Sequence, residues 1–261
     1  MHWRLIRIES YDASENMAID HAIFESVANR VSPPTIRFYQ WNNGGVSIGK
    51  GQNSSIVHIK NCLADGVGLV RRPTGGNALF HNAEDFTYSA CAPNSCFSGP
   101  GRKGRVNLAA YNEICRWIIR ALGNVGIKGI LHGSNNVMVD GKKISGNAQL
   151  NIGKAFLQHG SVFFSAKTEL WGKYLHVPGE KLGCIAGIQK LKPISPLVFY
   201  KALLESFSSN RIVHEAKPGK LSSREKKTAM ILASKVYSRD TFFGTTRERK
   251  GDICAIDTNN E

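Results

Sequence analysis

The residues best suited to chemistry lie between positions 71 and 81. Arg71 and Arg72 run off the apolar segment Val67 to Val70 into Pro73, Thr74 and the pair Gly75 and Gly76, followed by Asn77, Ala78, Leu79, Phe80 and His81. The pattern predicts a strand, a tight turn and a second strand with cations at its mouth. Glycine has no Cβ, so its backbone can take positive φ and come within hydrogen-bond range of a ligand. An arginine beside it supplies a charge-assisted fork for a phosphate or carboxylate. The same residues also read as a plain hairpin turn with a solvated strand end, and this stretch alone does not choose between the two.

A second segment, Gly133 to Gln149, reads as a β-hairpin: Val137 to Val139, a turn at Asp140 and Gly141, and a return through Ile144. Lys143 stands on the returning strand next to the small residues Ser145 and Gly146. Alternation sends its neighbour Lys142 to the opposite face, and a register one residue off would exchange the two lysines. A third segment, Leu157 to Phe164, carries His159 and begins another strand.

Taken together, Arg71-Arg72 with Thr74-Gly75-Gly76, Ala78 and His81, then Asn135-Asn136 with Gly141 to Gln149, then Gln158-His159-Gly160-Ser161, resemble the lipoate-protein ligase A family and its relatives, the octanoyltransferases and biotin ligases. Glu15 to Asp20 is similar to that family's N-terminal helix and Pro34 to Gly49 to its first strand pair, so the resemblance covers most of residues 3 to 165. It implies an α+β fold: a biotin/lipoate ligase-like catalytic domain with a mixed, mainly antiparallel sheet flanked by helices.

The activity implied by the resemblance is ATP-dependent lipoate-protein ligation. Lipoate, or octanoate, attacks the α-phosphate of ATP (with Mg2+) to give an acyl-AMP, and a lysine of an acceptor domain then takes the acyl group. Lys143 matches the family's single motif lysine, and its ammonium would stabilise charge on the acyl carbonyl and α-phosphate oxygens. Backbone groups near Gly75 to Phe80 would hold the adenylate, with Arg72 on the phosphate. The same match assigns binding roles to Thr74, Asn77, Ala78, Leu79, His81, Asn136, Gly146, Ala148 and His159. His81 and His159 read as buried, hydrogen-bonded histidines in preference to bases. Two positions depart from the family pattern: Asn136 stands where related ligases carry an aspartate, and Asn77 where lipoate ligases have a third glycine.

Three alternatives accompany this reading. In an ATP-independent octanoyltransferase the acyl group passes through a cysteine thioester, and Gly183 to Gly187 is similar to the cysteine loop of one transferase class, with Cys184 as the alternative nucleophile. A biotin ligase would share the adenylation chemistry and has the basic loop Gly99 to Arg105 as its best argument, but it is opposed by His132, which stands where biotin ligases place a lysine. A non-catalytic subunit of a split ligase is the third. The partners implied are an acceptor lipoyl domain or a glycine-cleavage H-like protein, and a separate accessory subunit is compatible with the chain's length.

Composition narrows the rest. With 261 residues, 42% of them hydrophobic and 21% charged, the chain reads as an ordinary globular protein, with a single catalytic domain over residues 1–250 and a polar tail over 251–261. No apolar run reaches the roughly 20 residues of a membrane span, and Arg4, Arg7 and Glu9 interrupt any signal peptide, so a cytoplasmic location is expected. Cys62, Cys91, Cys96, Cys115, Cys184 and Cys254 show no metal-ligand spacing, and no metal site is expected. The net charge of +14 implies an anionic partner. Nucleic acid is disfavoured, because the basic residues are dispersed and no nucleic-acid-binding motif is present.

The elements that must position these residues follow from periodicity and caps. Helices are expected over 15–29 with Ser14 as cap, over 54–64, over 106–122 ending at Gly123, from Ser195-Pro196 to Phe207, and from the Ser222/Glu225 capping box to Tyr237. Strands are expected at Thr35 to Trp41, Val46 to Ile48, Val67 to Arg72 and Phe86 to Cys91.

Overall fold

A computed structural model describes residues 2–97 and 106–243. The basic loop residues Gly99 to Arg105, the tail at 251–261 and Cys254 lie outside the described residues.

The strands are β1 Trp3–Tyr11, β2 Thr35–Trp41, β3 Gly45–Ile48, β4 Gly68–Arg71, β5 Leu79–His81, β6 Phe86–Pro93, β7 Ile130–His132, β8 Asn136–Val139, β9 Lys142–Ile152, β10 Ala155–Val162 and β11 Ala216–Pro218. The helices are α1 Ala13–Ala28, α2 Ile59–Ala64, α3 Leu108–Asn124, α4 Thr168–Tyr174, α5 Gly179–Gly183, α6 Ile188–Leu191, α7 Pro196–Ser208, α8 Ser223–Lys235 and α9 Arg239–Phe243. Eight strands form one sheet in the order β11-β1-β2-β6-β10-β9-β8-β7, and β4-β3-β5 form a second. In the large sheet β1 runs parallel to both β11 and β2, and every other pair is antiparallel. This is the α+β architecture with a mixed, mainly antiparallel sheet that the sequence predicts.

Period-two alternation assigns the two faces of the large sheet. Ile36 and Phe38 of β2, Phe86, Tyr88 and Ala90 of β6, and Phe156 and Val162 of β10 pack with Trp117 of α3 and Phe207 of α7. The intervening residues Tyr39, Trp41, Cys91 and Leu157 face α1 and α8, where Met17, Ile23 and Leu232 complete a second core. A third core under the small sheet joins Val46, Ile48, Leu69 and Phe80 to Trp171 and Tyr174 of α4.

Several expectations are corrected in detail. The first helix is capped by Asp12, whose carboxylate accepts from the Glu15 amide at 2.8 Å in a capping box. Ser14 instead hydrogen-bonds the Ala233 carbonyl. Segment 54–64 splits into a 3-10 turn, Ser54–Ile56, and α2. Helix α3 continues through Gly123. Strand β1 was not expected, because charges at Arg4, Arg7 and Glu9 fall on both parities, and its register with β2 slips between Ile6 and Glu9. The plain hairpin reading of Gly75-Gly76 also fails: β4 and β5 do not pair with each other but flank β3, so residues 72–78 form a crossover loop between them.

Candidate active site

A cavity of about 380 Å3 lies where the α1-side face of the large sheet meets the small sheet. The large sheet contributes Tyr39, Trp41, Thr87, His159, Gly160 and Ser161, together with Lys143, Gly146, Asn147 and Ala148 of β9. The small sheet and its crossover loop contribute Ser47, Arg72, Gly76, Asn77, Ala78, Leu79 and His81, and Met17, Asn135, Asn136, Trp171 and Ile185 close the perimeter. Two of these residues are cations and none carries a carboxylate, so the site favours a ligand group that is anionic or develops negative charge.

The position of Lys143 depends on a local irregularity. Gly146 and Ala148 are two apart and both line the cavity, whereas Lys143, three before Gly146, would by strict alternation face away. The β8–β9 register slips here: Ser145 lies opposite Val137 but Lys143 opposite Met138, so Ile144 is an extra residue. This bulge sends Ile144 into the core on the far face and returns Lys143 to the cavity. Lys142 stays exposed. Gly146 makes room for the lysine, since a Cβ there would come within 2.8 Å of Lys143 Cε and 2.9 Å of Nζ. Burial, and second the Arg72 charge, push the Lys143 ammonium below its ordinary pKa.

The backbone of Lys143 is held by the Gly183–Gly187 loop. Its amide donates to the Cys184 carbonyl at 2.7 Å, and its carbonyl accepts from the Ala186 amide at 3.2 Å. Gly187 lets the end of this loop pack on the Phe164–Ser165 backbone, because a Cβ would sit 2.6 Å from the Ser165 carbonyl oxygen. Cys184 itself is exposed and does not line the cavity; its thiol lies 3.4 Å from the Glu180 carbonyl oxygen. Cys62, Cys91 and Cys115 are buried and Cys96 half-buried. Burial pushes the thiols of Cys62 to about 11 and Cys115 to about 12, and raises Cys91 and Cys96 as well.

Arg72 is buried and organises the crossover loop. Its Nη2 donates to the carbonyls of Gly75 (2.7 Å) and Asn77 (2.8 Å), Nε donates to Gly75, and Nη1 donates to the Ser47 carbonyl and hydroxyl. Burial lowers its pKa to about 10. Gly76 has φ +94, a conformation that favours glycine, and Gly49 lets the Gly76 carbonyl pass over it. Arg71 points elsewhere and donates to the carbonyls of Gly49 and Gln52.

Both histidines bridge the two sheets. His81 stacks on Trp41 with ring centroids 3.9 Å apart, and its nitrogens pair with Ser47 Oγ and Ser161 Oγ, each at 2.8 Å. Burial first, then the charges of Arg72 and His159, hold its pKa well below the usual range. His159 pairs with Thr74 Oγ1 at 2.7 Å and with Asp20 Oδ2 at 3.3 Å. Asp20 is fully buried; burial alone would raise its pKa, but the His159 hydrogen bond and the Arg37 charge outweigh it and keep the carboxyl low. Arg37, Tyr39 and Ser89 also donate to it.

Of the residues singled out from the sequence, Arg72, Gly76, Asn77, Ala78, Leu79, His81, Asn136, Lys143, Gly146, Ala148 and His159 line one cavity. Thr74, Gly75, Phe80 and Cys184 do not. Phe80 alternates with Leu79 and His81 and so points into the core beneath the small sheet. Thr74 and Gly75 are held by His159 and Arg72 instead. Asn136 lines the cavity, and its Oδ1 is buried with no hydrogen-bond partner among the described residues. Sequence reasoning missed Met17, Tyr39, Trp41, Trp171 and Ile185, apolar or aromatic residues that look like ordinary core. It also missed Asn147, which Gly160 admits; a Cβ at Gly160 would lie 2.0 Å from Asn147 Oδ1. Among the described residues no group of three or more His, Cys, Asp or Glu could hold a metal ion. Nor is any described helix long and apolar enough to cross a membrane.

The model of the lipoyl protein ligase A/B catalytic domain matches residues 12–198. Octanoyltransferase LipM of Symbiobacterium thermophilum is 28% identical, covering 92% of this chain and 97% of that protein. LipM of Kyrpidia tusciae is 29% identical over 89% of this chain and 95% of its own length. Among solved structures, a chain from an archaeal lipoylation system, a bi-partite lipoate protein ligase and its E2 lipoyl domain from Thermoplasma acidophilum, superposes with a TM-score of 0.80. It is 21% identical, covering 94% of this chain and 97% of that one. Lipoate-protein ligase A bound with ATP gives 0.80 at 22% identity, covering 94% and 99%. At such identities these two share the fold, and the bound ATP is a property of that protein. The relatives aligned along nearly the whole chain are octanoyltransferases, which overturns the expectation of an ATP-dependent ligase that forms an acyl-AMP.

Proposed function

Because this chain belongs to the family of the lipoyl protein ligase A/B catalytic domain, we propose that it is an acyltransferase that moves an already activated octanoyl or lipoyl group onto a lysine of an acceptor lipoyl domain without ATP. The observation that carries the reading is the union of Lys143 with the Cys184 loop. An ammonium with no hydrogen bond or ion pair among the described residues stands in the cavity, and its backbone is fastened on one side to Cys184 and on the other to Ala186. Met17, Trp41, Leu79, Trp171 and Ile185 give the cavity apolar wall for an alkyl chain.

In this reading Cys184 is the acyl carrier. Its sulfur forms a bond to the acyl carbon of a donor thioester, the donor's C–S bond breaks, and the thiol proton leaves with the donor. The acceptor amine then forms the amide as the Cys184 C–S bond breaks and the thiolate recovers a proton from the amine. Each addition puts negative charge on the acyl oxygen, and the Lys143 ammonium is the group that would stabilise it. Cys184 does not line the cavity, but its chain neighbour Ile185 does. Thiolate chemistry at Cys184 is favoured over the other described cysteines by exposure, since burial raises the pKa of each of those.

The test is incubation with octanoyl-carrier protein and an apo lipoyl domain in the absence of ATP, followed by mass spectrometry of both proteins. The expected result is an octanoyl adduct on Cys184 and an acylated acceptor, both lost in Cys184→Ser. Absence of transfer without ATP, or transfer undiminished in the serine variant, would overturn the proposal.

A further inference from the structure

We infer that Asp20, Thr74 and the far side of His159 form a clamp that sets the cavity's width, with Asp20 and Thr74 acting as positioning residues although neither lines the cavity. This rests on the acyltransferase reading for its ligand but on separate residues for its argument. The cavity lies between two sheets, and its loop wall, Gly76 to Ala78, belongs to the crossover loop of the small one. Thr74 stands two residues before that wall. It is buried, its carbonyl accepts from the Lys50 amide at 2.9 Å, and its hydroxyl reaches across to His159 of the large sheet at 2.7 Å.

The network specifies how this bond is made. The low pKa of Asp20 makes its carboxylate an acceptor only, so the ring nitrogen facing it, His159 Nδ1, carries a hydrogen. Nε2, on the other side of the ring, faces the Thr74 hydroxyl at 2.7 Å, a group that can both donate and accept. Asp20 thereby holds the ring with Nε2 turned toward the loop, and its own position is fixed by Arg37 at 3.0 Å, Ser89 at 2.7 Å and Tyr39 at 2.8 Å. His159 cannot swing to follow the loop, because it lies opposite Ala148 in the β9–β10 ladder. The loop must come to the histidine.

The test compares Thr74→Val, which keeps the shape and loses the hydroxyl, with Thr74→Ser, which keeps the hydroxyl. Two readouts are used: octanoate binding followed by tryptophan fluorescence, since Trp41 and Trp171 line the cavity, and amide hydrogen exchange of residues 72–81. The valine variant is expected to bind octanoate about tenfold more weakly, the equivalent of one hydrogen bond, and to exchange faster across Gly75 to Ala78. The serine variant should restore both. Wild-type behaviour in valine, or equal loss in both variants, would overturn the clamp; should the valine variant not fold, Thr74→Ala is read in the same way. If wild-type protein binds no octanoate, the acyl reading has failed, and the exchange comparison alone still decides the clamp.

Discussion

Replacing Lys143 with methionine is expected to make the protein more stable and less active. Methionine keeps the length and apolar stem of lysine while removing an ammonium that is half-buried, repelled by Arg72 and without a protein partner among the described residues. An unpaired charge in a protein interior is destabilising. The gain is limited because the Lys143 side chain is only half-buried. A gain of about 1 kcal/mol is therefore expected, within the range for relief of functional strain and equivalent to a Tm rise of about 2–4 °C for a chain of this size. The sign with pH follows from the lowered pKa. Between the folded-state value and the ordinary 10.5 the unfolded chain binds more protons than the folded one, so wild-type stability rises with pH there. The variant's advantage should be complete at neutral pH and shrink as pH climbs through that window. Activity should fall about 100-fold to 1,000-fold if Lys143 stabilises the acyl oxyanion. Urea melts at pH 7 and pH 10, with transfer rates on the same samples, provide the assay. A variant that is destabilised at pH 7, or that transfers acyl groups at the wild-type rate, would refute the reasoning.

Two further outcomes are expected. Gly49→Ala would place a Cβ 2.0 Å from the Gly76 carbonyl oxygen and 3.2 Å from the Gly75 carbonyl carbon, both backbone atoms that cannot rotate away. The displaced loop should cost about 1–3 kcal/mol by thermal melting and about 100-fold in transfer rate, and an unperturbed rate would show that the loop wall at Gly76 does not touch the ligand. In a Cys254→Ser background, a thiol reagent should label Cys184 rapidly in the native protein, Cys96 slowly, and Cys62, Cys91 and Cys115 only after unfolding. Fast native labelling of any of those three would contradict the burial that excludes them as acyl carriers.

The local and periodic features of this protein are legible in its sequence. The capping box at Ser222 and Glu225, the cap at Ser195 before Pro196, and the strands at Thr35 to Trp41 and from Phe86 depend on residues within a turn or a strand of one another, and all appear where the sequence predicts them. The motifs at 71–81, 133–149 and 157–164 also announce a common site by their order. What the sequence could not decide are the features that arise between distant segments. The Ile144 bulge, which turns Lys143 into the cavity, is visible only as a register slip against β8. The separation of β4 and β5 by β3 converts an apparent hairpin into a crossover loop. Asp20 and His159, 139 residues apart in the chain, meet because helix α1 packs across the same face of the sheet from which His159 projects. Hydrogen bonds and caps within a few residues are encoded in local pattern; the face a side chain takes after a bulge, and the partner it meets across two sheets, are set by packing and exist only once the chain has folded.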